Sequence, residues 1–159
     1  MNENNETHRK YQEGVFTAIS AGFFLLIVGT IFVVTPNLFD RILDFFKSFG
    51  LVDVPHTDAI FIGSEIPRLH LTVYQAAGQF SIALAVFQIF ILALRFVIPS
   101  SWEKRSETAG NFVYWTGAAV LIQLFLIENT QWFVFWSTII IIVGISLIAR
   151  AAVMAVSRI

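Results

Sequence analysis

Several acidic and histidine side chains with metal-binding or acid–base chemistry lie in one segment, residues 51–70. Asp53, His56 and Asp58 lie close together there, and His70 ends the segment. Carboxylate and imidazole groups are common zinc ligands, but a zinc site needs three or four ligands that converge on one point. Spacing within a loop does not impose such convergence. Solvated loop residues are therefore the favoured interpretation, and a metal site is the alternative.

Sequence signatures of known catalytic sites are missing from the chain. It contains no glycine-rich phosphate loop, no GxSxG, no HExxH and no pair of histidines suited to haem. It also contains no cysteine, which excludes disulfides, thiol nucleophiles and cysteine metal sites. We predict a non-enzymatic protein without a cofactor. An enzyme that uses His56 and Asp58 on a lipid head group stays an alternative.

Amides and one carboxylate form a second group of residues with chemical capacity. They are predicted to lie toward one side of a membrane, where they would form the polar vestibule of a channel or transporter: His70, Gln75, Gln79, Gln123, Glu128 and Gln131. Such groups can replace the hydration shell of a solute. However, no acid, histidine or lysine occurs mid-span, where ion-coupled transporters usually place one. Hydrogen bonding between helices is therefore the favoured interpretation.

Composition indicates the class of protein that must position these groups. The chain is 57% hydrophobic and 13% charged, with a mean hydropathy of +0.75. A soluble domain averages about 45–50% apolar and about 25% charged residues. The net charge of -1 and the absence of a basic stripe argue against nucleic acid as a partner. We therefore predict an integral membrane protein surrounded by lipids.

Hydropathy predicts the membrane spans, since a hydrocarbon core of about 30 Å needs about 20 apolar helical residues. Four segments qualify, at about 15–35, 71–94, 111–127 and 132–149. They must be helical, because a helix satisfies its own backbone polar groups in lipid. The predicted fold is an all-α, four-helix transmembrane bundle in a single domain, residues 1–159.

The basic residues predict how the chain is threaded through the cell membrane. An even number of spans leaves both termini on one side. Cytoplasmic termini place one set of basic residues inside: Arg9, Lys10, Arg95, Lys104, Arg105, Arg150 and Arg158. Only Arg41, Lys47 and Arg68 then lie outside, as the positive-inside rule prefers. Residues 51–70 become an outer loop, in which residues 60–62 are a short strand or a plug, and residues 99–110 become an inner loop.

The stretch after the first span, TPNLFDRILDFFKSFG, has polar residues at helical spacing. It predicts an amphipathic interfacial helix at about 37–49 on the outer face. Asn37 would cap it with Asp40 in the capping-box position, and Gly50 would end it. Its apolar face comprises Leu38, Phe39, Ile42, Leu43, Phe45, Phe46 and Phe49.

Small and polar residues recur along one face of the second span. This polar seam consists of Tyr74, Gly78, Ser81, Ala85 and Gln88 and continues to Leu92 and Arg95. Helix one has a comparable seam: Ala18, Gly22, Leu25, Gly29 and Phe32. Helices in lipid pack through such faces. Faces that the bundle leaves unused would serve a second copy of the chain.

The favoured function is a structural or assembly subunit that packs with copies of itself or within a larger membrane complex. The general plan resembles several unrelated tetraspan families, among them claudin-like proteins and large-pore channels. The outer-loop cysteines of those families are absent from this cysteine-free chain, so the resemblance implies no function for any residue.

Overall fold

A computed structural model describes residues 3–53, 58, 60–64, 67–98, 100–129 and 131–156. About 86% of it is helical. The helices are α1 (Glu3–Val34), α2 (Leu38–Lys47), α3 (Leu71–Val97), α4 (Trp102–Leu121) and α5 (Trp132–Val156). A hairpin of β1 (Phe49–Asp53) and β2 (Ile60–Ser64) follows α2, and a 3-10 turn (Pro67–His70) leads into α3. A π-helix (Ile122–Glu128) continues α4.

Four helical segments are long and apolar enough to cross a membrane. They are Glu13–Val34, Arg68–Val97, Trp102–Glu128 and Trp132–Val156. The most apolar 18 residues of each have mean hydropathies of 2.4, 2.3, 1.5 and 2.6 in chain order. The prediction of four long apolar helices is therefore confirmed.

Helix α4 lies at the centre of the packing, since it contacts both α3 and α5. Glycine permits the close approach to α5. A Cβ atom on Gly117 would lie 2.6 Å from Ile142 Cγ2, and one on Gly110 would lie 3.1 Å from the carbonyl oxygen of Ser146. A larger residue at either position would have to push the two helices apart.

Helix α1 packs against α3 through aromatic side chains. The rings of Phe23 and Phe87 stack at 3.9 Å between centroids, with 10° between their planes. Phe16 and Ile27 are buried on the same side of α1. Between Gly14 and Val34, most of the other residues of α1 are exposed, and most of these are apolar.

Helix α2 is present where an interfacial helix was predicted, but its ends differ. Asn37 stands at the N-cap with a left-handed backbone, φ 55°, and its side chain makes no capping hydrogen bond. The predicted capping box with Asp40 is therefore wrong. The helix ends at Lys47, with Ser48 as its C-cap, because Phe49 and Gly50 enter strand β1 instead of completing another turn. Phe49 consequently does not belong to the helical face.

The two predicted loops contain regular structure. In residues 51–70, β1 and β2 pair antiparallel, with Leu51 opposite Ile62, so the short-strand interpretation of residues 60–62 is confirmed and the fold is not purely helical. In residues 99–110, α4 begins at Trp102. The Ser101 side chain caps it by accepting from the Lys104 backbone N–H at 3.3 Å. Most of the predicted inner loop is therefore the first part of α4.

Candidate functional site

An aromatic cluster lies where α2, the hairpin, α3 and α5 meet; we call this the hairpin end of the molecule. The cluster consists of Phe45, Phe49, His70, Tyr74 and Trp132. Trp132 contacts three of its rings at centroid distances of 5.8 to 6.3 Å. Only 7% of Trp132 and 3% of Tyr74 are exposed. The cluster therefore joins α2 and the hairpin to α3 and to the distant helix α5.

A glycine in strand β2 makes room for the central indole of the cluster. A Cβ atom on Gly63 would lie 3.0 Å from Trp132 Nε1, a distance that would force one of them to move. Gly63 pairs with Gly50 across the hairpin. Gly63 therefore lets the hairpin backbone lie close to α5.

His70 is held inside this cluster and not in an open vestibule. It is buried, and its Nε2 lies 2.8 Å from Ser48 Oγ. Ser48 Oγ also donates to the carbonyl oxygen of Phe45 at 2.7 Å. A hydroxyl has one proton, so Oγ accepts from His70 when it donates to Phe45. This contact joins the C-terminal end of α2 to the start of α3.

Two buried polar atoms of the cluster have no hydrogen-bond partner within the described residues: Tyr74 Oη and Trp132 Nε1. A buried hydroxyl without a partner opposes folding, because unfolding returns it to a solvating environment. We expect Tyr74→Phe to raise the free energy of unfolding by about 1 kcal/mol. Unfolding in mixed micelles would measure this.

Tyr114→Phe is the matched control, since Tyr114 is half-buried and carries no such orphaned hydroxyl. We expect its effect to stay within about 0.5 kcal/mol. A loss of stability in Tyr74→Phe would contradict the prediction and would reveal a bonding partner for the hydroxyl.

The other predicted vestibule residues do not all come together. Gln75, Gln79, Gln123, Glu128 and Gln131 are all exposed. Gln79 lines a groove of about 330 Å³ between α1 and α3, whereas Gln123 lines a groove of about 510 Å³ between α3 and α4. The structure does unite Gln123 with Glu128, at 3.1 Å. A π-helix places residues five apart on the same face, which explains this contact.

The polar seam of α3 faces the interior for most of its length. Tyr74, Gly78, Ser81 and Ala85 are buried, and Gln88 is half-buried. The Ser81 hydroxyl donates to the carbonyl oxygen of Ala77 at 2.9 Å, so it is satisfied within its own helix. A Cβ atom on Gly78 would meet Ile122 Cγ2 at 3.4 Å.

An ionic cluster lies at the opposite end of the helices, which we call the Arg95 end. Arg95 Nη1 lies 3.2 Å from both carboxylate oxygens of Glu13 and donates to Ser100 Oγ at 2.9 Å. Its guanidinium lies 4.7 Å from the ring centroid of Phe16. The pair joins α1 to the end of α3. Sequence reasoning missed it, although Glu13 precedes the first span on the same predicted side of the membrane as Arg95.

A second guanidinium is fixed beside this cluster. Arg105 Nε donates to the carbonyl oxygen of Arg95 at 3.0 Å. Its guanidinium carbon lies 4.9 Å from the ring centroids of both Phe96 and Trp102. Within the described part of the chain, no carboxylate pairs with Arg105. The neighbouring Lys104 differs, because it forms an ion pair with Glu107 at 3.0 Å.

The predicted metal and head-group residues are only partly described. Asp53 and Asp58 are exposed, and His56 lies outside the described residues. In the ranges that the structure covers, no three histidine or acidic side chains are grouped so that they could hold a metal ion.

Comparisons of the chain with protein-family models, curated proteins and solved structures found no match. Its function is therefore inferred from its own residues and contacts.

Proposed function

We propose that the protein is an integral membrane assembly subunit, a four-helix transmembrane bundle that packs with copies of itself or within a larger complex. The observation that carries the membrane location is the outward apolar surface of α5, where none (0%) of the most apolar 18 residues is buried. Ile140, Ile141 and Ile148 are among its exposed side chains. A continuous apolar face of this length favours contact with acyl chains or other apolar helices.

Charge supports a threading in which the Arg95 end lies in the cytoplasm together with both termini. Arg95, Lys104 and Arg105 are gathered there, as the positive-inside rule prefers. Helix α2 then lies at the outer interface. Phe39 and Phe46 are exposed on it and would contact acyl chains, whereas Leu38 is buried against the bundle.

The outward face of α1 is the proposed assembly surface, and we define it by Ala18, Gly22, Leu25 and Gly29. All four are exposed and recur at steps of four and three residues. A Cβ atom on Gly22 or Gly29 would meet no atom within 4 Å, unlike the glycines of α4. Small residues in lipid-facing helices permit close approach of another helix, so this face suits the α1 helix of a second copy.

Leucine at Gly22 and Gly29 is expected to separate the copies, because two large side chains would keep the paired helices apart. We expect the Gly22→Leu/Gly29→Leu variant to associate about tenfold or more weakly. Native mass spectrometry and cross-linking in detergent would count the subunits.

Gly144→Leu is the matched control, since Gly144 on α5 also has no atom within 4 Å of a Cβ position. It should leave the subunit count unchanged. If Gly144→Leu dissociated the oligomer and Gly22→Leu/Gly29→Leu did not, the assembly surface would lie on α5 and not on α1. The channel and head-group-enzyme alternatives stay predictions from the sequence, since no contact among the described residues favours either.

A further inference from the structure

The groove between α3 and α4 has the size and lining of a small-molecule site. Its volume is about 510 Å³, within the range of about 300–1,000 Å³ that is typical of such sites. Apolar side chains from both helices line it, including Ile82, Ile89 and Phe112. Thr116 and Gln123 are its polar side chains. An aliphatic chain fits this chemistry better than a polar solute.

Arg105 lies beyond the residues that line the groove, on the same face of α4. Along α4, Arg105, Phe112 and Thr116 follow one another at steps of seven and four residues, which places Arg105 on the helix face that lines the groove. Seven residues at about 1.5 Å each put Arg105 about 10 Å along the axis from Phe112.

The α3 side of the groove leads toward Arg105 as well. Along α3, one face has Ile82, Ile89 and Phe96 at intervals of seven residues. The Arg105 guanidinium lies over the ring of Phe96. The groove therefore runs from the middle of the helices toward a fixed cation.

The guanidinium is available for an anion. The backbone carbonyl and the two rings engage its Nε and its faces. Its Nη atoms donate no hydrogen bond to any residue that the structure describes. A planar guanidinium held in this way suits a phosphate, to which it can donate two hydrogen bonds at once. Trp102, which is exposed beside it, is a residue type enriched at the membrane–water boundary.

We propose that the groove and Arg105 together bind one anionic phospholipid, with an acyl chain between α3 and α4 and the phosphate on the guanidinium. This inference rests on the proposed membrane location of the spans, but not on assembly through α1. An acyl chain and a helix of a second copy are both apolar enough for the groove. Charge complementarity favours the lipid, since a second helix would leave the Arg105 guanidinium without an anion.

Native mass spectrometry of delipidated protein, titrated with phosphatidylglycerol or phosphatidylcholine of identical chains, tests the proposal. We expect one phosphatidylglycerol per chain, bound about tenfold more tightly than phosphatidylcholine. Arg105→Gln should remove that preference, and Arg105→Lys should keep part of it. Thr116→Trp, which fills the groove, should weaken binding of both lipids.

Arg41→Gln is the matched control, since Arg41 is an exposed cation on α2, away from the groove. The proposal is overturned if Arg41→Gln lowers the lipid preference as much as Arg105→Gln does. It is also overturned if inorganic phosphate binds as tightly as phosphatidylglycerol does, because the groove would then contribute nothing. Dissociation of the oligomer by Thr116→Trp with unchanged lipid binding would assign the groove to a second copy.

Circular dichroism of each variant separates a lost site from a lost fold. Lipid binding should persist in the monomeric Gly22→Leu/Gly29→Leu variant. If the protein stayed monodisperse without detergent, the membrane location itself would fail, whereas selective loss of the lipid preference would count against this site alone.

Discussion

Trp132→Ala is expected to lower the free energy of unfolding by about 3–5 kcal/mol, the largest effect that we predict. The indole contacts Phe45, Phe49 and Tyr74, which come from three separate elements. Its removal would leave a cavity that these rings cannot fill without displacing the hairpin from α5. Unfolding in mixed micelles by a denaturing detergent, followed by circular dichroism, measures the change.

Trp136→Ala is the matched control because it removes the same side chain one helical turn later. Trp136 is 45% exposed, whereas Trp132 is 7% exposed. We expect a smaller loss, of about 1 kcal/mol, since nearly half of its surface lies outside the protein. Equal effects of the two substitutions would show that the aromatic cluster does not hold the hairpin end together.

The long helices could be predicted from the sequence because their signal is local and large. An uninterrupted apolar run such as that from Val15 to Pro36 is sufficient to identify a span, whatever the rest of the chain does. The residues at which helices begin and end were less predictable, because the same signal covers only part of each helix. Hydropathy reports the apolar part of a helix, whereas α4 begins at Trp102 with charged residues that helix geometry accepts.

The hairpin was only one of two interpretations, because a short apolar run does not distinguish a strand from a segment that plugs a bundle. The proximity of Gly63 to Trp132, which orders the hairpin against α5, joins residues far apart in the chain. Local signals at Asn37 and Gly50 predicted a cap and a stop. Instead, Asn37 makes no side-chain cap, and Gly50 lies in strand β1, paired with Gly63.

The residues that share a site were the least predictable feature. Glu13 and Arg95 are 82 positions apart, and nothing in either segment identifies the other as its partner. The predicted vestibule shows the converse. Gln79 and Gln123 lie at similar depth in adjacent predicted spans, but each faces a different groove. Hydropathy predicts depth along a helix, whereas the rotation of each helix depends on how its side chains pack.

The ionic pair at the Arg95 end leads to a second large effect, which depends on which partner is removed. The side chain of Arg95 is 10% exposed and that of Glu13 is 34% exposed. Glu13→Ala leaves a buried guanidinium without its carboxylate, so we expect a loss of about 2–3 kcal/mol in the free energy of unfolding. Arg95→Met releases a carboxylate that water can reach, and we expect a loss of about 1 kcal/mol.

The double variant Glu13→Ala/Arg95→Met should therefore be more stable than Glu13→Ala alone, because it removes the unpaired charge and leaves an apolar side chain beside Phe16. Glu107→Ala is the control: its partner Lys104 is 44% exposed, so the loss should stay within about 0.5 kcal/mol. Mixed-micelle unfolding of all four variants measures the cycle. If Glu13→Ala were no more harmful than Glu107→Ala, or if the double variant were the least stable, α1 would be held to α3 by its aromatic contacts and not by this pair.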